Sequence, residues 1–224
     1  MKRLSSFGLL LITLAVPFFL IMSSIRILLI PYVFVDFEYR LPDFPPDTYG
    51  FSQADRLKWS KISMDYLLND QGISWLANQT LPAGTPLYTE RELGHMLDVK
   101  NLIQSMFTVW WILLAFLALA GLLTWRVKAT TRYQRSVSNG GWLTIILMAV
   151  ILGFVALSFN WLFTEFHRLF FSGDSWLFLY SDTLIRLFPI RFWQDAFIYM
   201  GTLSVVFALL CGYFGRRLAN RFRT

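Results

Sequence analysis

His95 and His167 are the only imidazoles in a chain of 224 residues. Imidazole has an ordinary pKa close to neutrality, so it can take and return a proton at physiological pH. Carboxylates lie near both in sequence. Glu92 and Asp98 are three residues to either side of His95, and Glu165 is two residues before His167. A carboxylate beside an imidazole can hold one tautomer and support the cation. The grouping suits general acid–base chemistry. The plainer reading makes each histidine an amphipathic anchor at a membrane surface. A third reading is a two-histidine metal site completed by Asp98 or Glu165. No H-x-x-x-H or H-E-x-x-H spacing supports it, and no G-x-S-x-G elbow, phosphate loop or dinucleotide fingerprint occurs.

The elements that must position the pair are apolar. Four stretches, near residues 7–28, 102–125, 142–164 and 196–215, are each long enough to cross a hydrocarbon core of roughly 30 Å at about 1.5 Å per residue. Their flanks alternate in charge. Lys2 and Arg3, then Arg126, Lys128, Arg132 and Arg135, then Arg216, Arg217, Arg221 and Arg223 make ten basic residues with no acid among them. The positive-inside rule places these three segments in the cytoplasm. Segments 36–100 and 165–195 then lie outside, with all 14 carboxylates and both histidines. His95 precedes the second stretch and His167 follows the third, so this topology brings both to the outer headgroup level.

The composition agrees. The chain is 56% hydrophobic and 18% aromatic, which describes an all-α membrane protein rather than a soluble domain. Its net charge of +6 sits in the cytoplasmic flanks, where it sets topology and meets anionic headgroups. No nucleic-acid-binding signature accompanies it. Cys211 is the lone cysteine, so no disulfide or CxxC pair is available, and it reads as a small apolar filler. The first stretch runs on through Ile30-Pro31-Tyr32-Val33 without a clean small-x-small site, which favours an uncleaved anchor over a signal peptide. Arg26 ends its deeply apolar part and is expected to snorkel to the interface.

The outer segments carry local signals. Pro42, Pro45 and Pro46 keep 36–50 extended. Ser52 with Asp55 resembles a capping pair, followed by a loose stripe of Leu57, Met64, Leu67 and Leu68. Residues 73–88 read as a compact loop or short strand pair. Thr89-x-x-Glu92 is a stronger capping box, from which one helix is expected to carry His95 into the second span. Asn160, Thr164 and His167 are spaced i, i+4, i+7 and predict one polar face toward the bundle interior. Segment 172–193 reads as interfacial, anchored by Trp176, Tyr180 and Trp193, with Asp182 and Arg186 placed to pair at i, i+4.

Three stretches carry a family resemblance: LYTERELGHMLDVK at 87–100, FTEFHRLFF at 163–171, and W-x-F-x-x-x-D-x-L-I-x-L-F-P-x-x-F-W-x-D at 176–195. With four spans, the whole chain resembles the bacterial DUF-type integral membrane family that contains Lit, the lipoprotein intramolecular transacylase. The resemblance implies transfer of the sn-2 acyl chain of a diacylglyceryl lipoprotein onto the α-amine of its N-terminal cysteine, giving a lyso-form lipoprotein. It also implies that His95 and His167 are the family's two central histidines.

The expectation is a single membrane domain over 1–224, with four spans and a small extracytoplasmic cap, in a bacterial plasma membrane. Its partners are diacylglyceryl lipoproteins and the phospholipid bilayer, with no nucleic acid, cofactor or metal. A histidine base would free the amine, whose pKa lies near 7.7–8.0. The oxyanion formed on attack needs donors, for which Arg168, Asn160, Tyr88 and Trp193 are candidates. Gly121, Gly153, Ala156, Gly201 and Gly212 would open a lipid groove or serve close helix packing. The rival readings are a non-catalytic membrane assembly or transport factor, and a lipid hydrolase using the same histidines.

Overall fold

The computed structural model describes residues 6–30 and 32–221; the side chain of Arg221 lies outside the description, as do Lys2, Arg3, Pro31 and Arg223. Among the described residues eight helices form: α1 (Ser6–Leu28), α2 (Val33–Glu38), α3 (Gln53–Leu68), α4 (Ile73–Ala77), α5 (Glu90–Arg126), α6 (Thr130–Phe170), α7 (Thr183–Leu187) and α8 (Ile190–Arg221). Helices α1, α5, α6 and α8 are long and apolar enough to cross a membrane. Lipid offers no partner to a bare peptide group, so an apolar run of this length satisfies its backbone by coiling into a helix. Among the described residues no strand forms, and the strand pair considered for 73–88 reduces to α4 and one antiparallel bridge between Thr80 and Pro86.

The helices form two compact groups: Met1–Ile27, Met106–Ala156 and Ile198–Thr224 in one, Leu28–Ser105 and Leu157–Phe197 in the other. The first is centred on Ile12, Ala15, Val16, Leu20, Leu117 and Ala208. Small residues bring its helices close. Pro17 lacks an N–H, which leaves the Thr13 carbonyl without its usual donor four residues on. Gly140 of α6 packs there: a methyl group on it would lie 2.7 Å from that carbonyl oxygen and 2.5 Å from Val16 Cβ. Ser204 Oγ donates to Ser24 Oγ at 2.9 Å and Ser138 Oγ to the Gly212 carbonyl at 2.9 Å. Of the glycines that could open a groove, Gly201 is pressed against Leu152, Gly121 and Gly212 leave only ordinary contact distance to Tyr133 and Trp142 for an added methyl group, and Gly153 faces open space.

The second group holds all the carboxylates and both histidines. Ser52 and Asp55 form the expected capping box on α3. The buried face of α3 differs from the apolar stripe in that it includes Arg56, Ser60 and Ser63. Each has a partner: Arg56 donates to the carbonyls of Arg186 (2.8 Å) and Pro45 (2.6 Å), Ser60 shares a bond with Tyr39, and Ser63 with Tyr88. Arg186 does not pair with Asp182. It forms a fork with Asp47 at 3.0 and 3.1 Å, and Asp182 instead accepts the Leu179 N–H in the turn before α7. The Asp47 pair is largely buried, which outweighs an exposed i, i+4 pair. Glu38 is fully buried and neither oxygen has a hydrogen bond within 3.5 Å. Burial, then the neighbouring Asp195 carboxylate, push its pKa up to about 7, against the opposing pull of Arg191.

Candidate active site

Thr89 starts α5 as expected: its N–H donates to Glu92 Oε2 at 2.7 Å and its Oγ1 accepts the Glu92 N–H at 3.3 Å. The helix runs unbroken past Gly94, which carries His95 on the second turn. His167 comes from the other direction, near the end of α6. Ser158 leaves the helical region at φ −159°, ψ 72°, and the turns after it form a new face. That face is Phe159, Phe163 and His167, at i, i+4, i+8. Asn160, one residue round the helix, is exposed and does not face the interior as the spacing predicted.

The two imidazoles stack. Their ring centroids are 5.9 Å apart with planes inclined by 24°, and each residue is 8% exposed. Aromatic rings enclose them. Phe171 and Phe178 meet His95 edge-on at 4.9 and 5.4 Å. Phe163, Trp176, Phe171 and Phe166 pack on His167 at 4.2, 4.9, 5.5 and 5.6 Å. Burial pushes the His95 pKa down to about 4, with His167 adding to it. Burial also lowers that of His167, against the contrary effect of its bond to Phe163.

The nitrogens differ. His167 Nδ1 lies 2.8 Å from the Phe163 carbonyl oxygen. A carbonyl only accepts, so Nδ1 carries the proton and Nε2 keeps the lone pair. His95 Nδ1 is buried without a hydrogen-bond partner. The pair can accept a proton at one nitrogen and return one at another, inside a box that admits little water.

The supporting residues mostly stand elsewhere. Glu92 does not hold His95: Oε2 takes Thr89, and Oε1 takes the Leu184 N–H at 2.7 Å. Glu165 does not hold His167: it pairs with Arg168 at 2.9 Å on the exposed surface. That pairing also turns Arg168 away from an oxyanion role. Asp98 is exposed. The Tyr88 hydroxyl is bound to Ser63 at 2.7 Å, and burial raises its pKa further. Trp193 reaches the site only through Phe163, at 6.2 Å between ring centroids. Trp176, expected as an interfacial anchor, packs instead on His167. Of the aromatic box, the sequence shows only that Phe163 and Phe171 flank His167 at four residues on either side, the helical spacing that stacks rings on a neighbour.

Comparison with known proteins gives a consistent answer. Residues 10–193 match the family described as lipoprotein intramolecular transacylase Lit. An uncharacterized protein of Aquifex aeolicus (strain VF5) is 29% identical over 209 residues, covering 87% of this chain and 93% of its own. The fold matches the in meso structure of the membrane integral Lit from Bacillus cereus with a TM-score of 0.76 at 20% identity, over 97% of this chain and 96% of that one. A form of the same protein with a histidine-to-alanine mutation gives 0.74 at 21% identity, over 97% and 94%. The chain therefore belongs to the Lit family of lipoprotein intramolecular transacylases, and it is a membrane-integral acyltransferase.

Proposed function

We propose that this acyltransferase moves an O-linked acyl chain of a diacylglyceryl lipoprotein to the α-amine of the same molecule's N-terminal cysteine, with His95 and His167 as its acid–base pair. The observation that carries the reading is the buried stack of two imidazoles, one of which has a fixed tautomer. The neutral amine attacks the ester carbonyl. His167 Nε2 takes the proton that the nitrogen sheds as the C–N bond forms. The C–O bond then breaks, and a proton delivered by the pair leaves on the glyceryl oxygen. Amine and ester belong to one substrate, so the protein's main tasks are orientation and proton transfer. Dry aromatic walls suit both by excluding competing water. The box opens on the extracytoplasmic side of a bacterial plasma membrane, with both termini cytoplasmic, as the ten basic flanking residues suggest.

Mass spectrometry of lipoprotein N-termini from cells with and without the protein tests this. Conversion of a diacylglyceryl, free-amine terminus to an N-acyl lyso form should depend on it. Release of free fatty acid without N-acylation would make the protein a hydrolase. Identical termini in both strains would end the transacylase reading.

A further inference from the structure

Arg26 lies in the last turn of α1, about 20 residues, or roughly 30 Å of helix, from its start. That places it where hydrocarbon gives way to headgroups. Its guanidinium carbon sits 4.6 Å from the ring centroid of Trp110, 4.8 Å from Phe107 and 5.5 Å from Trp111. The rings are themselves held. Trp110 Nε1 donates to Ser23 Oγ at 2.8 Å, Ser23 donates to the Phe19 carbonyl at 2.6 Å, Phe19 stacks on Trp110 at 5.6 Å, and Trp111 meets Trp110 edge-on at 4.8 Å.

Stacking uses a guanidinium's faces and leaves its five N–H donors free in the plane. Arg56 and Arg186 also sit over rings, and both commit their N–H groups to carbonyls or to Asp47. Arg26 does not. Among the described residues no carboxylate lies within 4.0 Å of it and no acceptor meets its donors. At this depth the free donors can reach water or the anionic group of a lipid headgroup. Trp111 is 56% exposed and Ile112 62%, so lipid can approach.

We propose that Arg26, framed by Phe107, Trp110 and Trp111, binds the phosphate of a membrane phospholipid. A phosphodiester presents two charged oxygens that match the guanidinium fork. It is held at the hydrocarbon edge by its own acyl chains, which can run down the exposed apolar side of the helices. The site binds lipid and is separate from the histidine chemistry.

The test is native mass spectrometry of the delipidated full-length protein in neutral detergent. The probes are dioleoyl phosphatidylglycerol, dioleoyl phosphatidylcholine, dioleoylglycerol and inorganic phosphate. Both phospholipids should give one saturable adduct, at least tenfold weaker in Arg26→Gln and intermediate in Arg26→Lys, which keeps the charge but loses the fork. Any dioleoylglycerol adduct, bound at the histidine site, should be the same in wild type and Arg26→Gln, and millimolar phosphate should not displace the phospholipid. Equal phospholipid binding by wild type and Arg26→Gln overturns the proposal, as does a loss of dioleoylglycerol binding in Arg26→Gln equal to the loss of phospholipid binding. Displacement by inorganic phosphate assigns the site to the free ion and overturns the lipid assignment. If Arg26→Gln fails to fold, Arg26→Lys and Trp111→Leu carry the test, and unchanged affinity in both overturns it.

Discussion

His167 donates its Nδ1–H to the carbonyl oxygen of Phe163, one helical turn back, which leaves the lone pair on Nε2 of a ring that stacks on His95. A backbone carbonyl orients the imidazole where a carboxylate commonly would. His95→Ala and His167→Ala should each reduce turnover of a diacylglyceryl lipopeptide by about 10²–10⁴-fold while leaving the protein folded in the membrane. Groups that act as a unit are non-additive, so the double variant should be little worse than either single one. Wild-type turnover in one variant would remove that histidine from the chemistry.

Burial in the aromatic box lowers the pKa of both imidazoles and so favours their neutral forms, that of His95 down to about 4. Protonation of His95 therefore does not limit the reaction above about pH 5, and protonation of His167 limits it less than that of an ordinary imidazole would. The substrate's amine, with a pKa near 7.7–8.0, limits it instead. A log plot of kcat/KM against pH should rise with a slope nearer one proton than two between pH 5 and 7 and level off near pH 8. A slope approaching two in that range would show a histidine titrating at its ordinary value.

Glu38 should give the stability of the protein a second pH dependence. Its folded pKa, about 7, is raised above its ordinary value, so the folded state binds the proton more tightly. That contribution is present at low pH and is lost as pH rises through about 7. His95 works in the opposite sense, losing stability as pH falls from about 6.5 toward 4. Thermal unfolding of Glu38→Gln against wild type should shift in favour of the variant by about 1–3 kcal/mol between pH 5 and pH 8. A constant difference across that range would show that Glu38 is not held protonated.

Gly140 allows α6 to approach α1 at the carbonyl that Pro17 leaves unbonded. Gly140→Ala should destabilise the protein by about 1–3 kcal/mol through overpacking, and Gly140→Val by more. Gly153→Ala, which meets no neighbour within 4 Å, should be close to neutral and serves as the control. Unfolding temperatures in detergent check both, and equal shifts would refute the packing argument.

The membrane orientation can be read by labelling with an impermeant thiol reagent in a Cys211→Ser background. Ala54 and Lys128 are both exposed on the protein surface. Intact cells should label Ala54→Cys and spare Lys128→Cys. The reverse pattern would put the carboxylates and both histidines on the cytoplasmic side.

The sequence by itself determined the class and the spans. Four long apolar runs must be helices because lipid gives a peptide group nothing to bond, and α1, α5, α6 and α8 follow. It also determined local starts, since Ser52–Asp55 and Thr89–Glu92 cap within one turn. Contacts between distant residues were decided only by the tertiary structure. Glu92 reads as a neighbour of His95, yet its second oxygen is taken by Leu184, 92 residues away. Arg186 reads as a partner of Asp182, yet Asp47, 139 residues away, offers a drier fork. Phe178 and Trp176 close on the histidines from a segment that looks interfacial. Nothing local to Glu38 marks it as buried; the fold buries it and α8 brings Asp195 beside it. Helical periodicity relates residues about one turn apart, so it fixed which element each histidine rides on. Only the packing of α5 against the turns after Ser158 brought the two rings together.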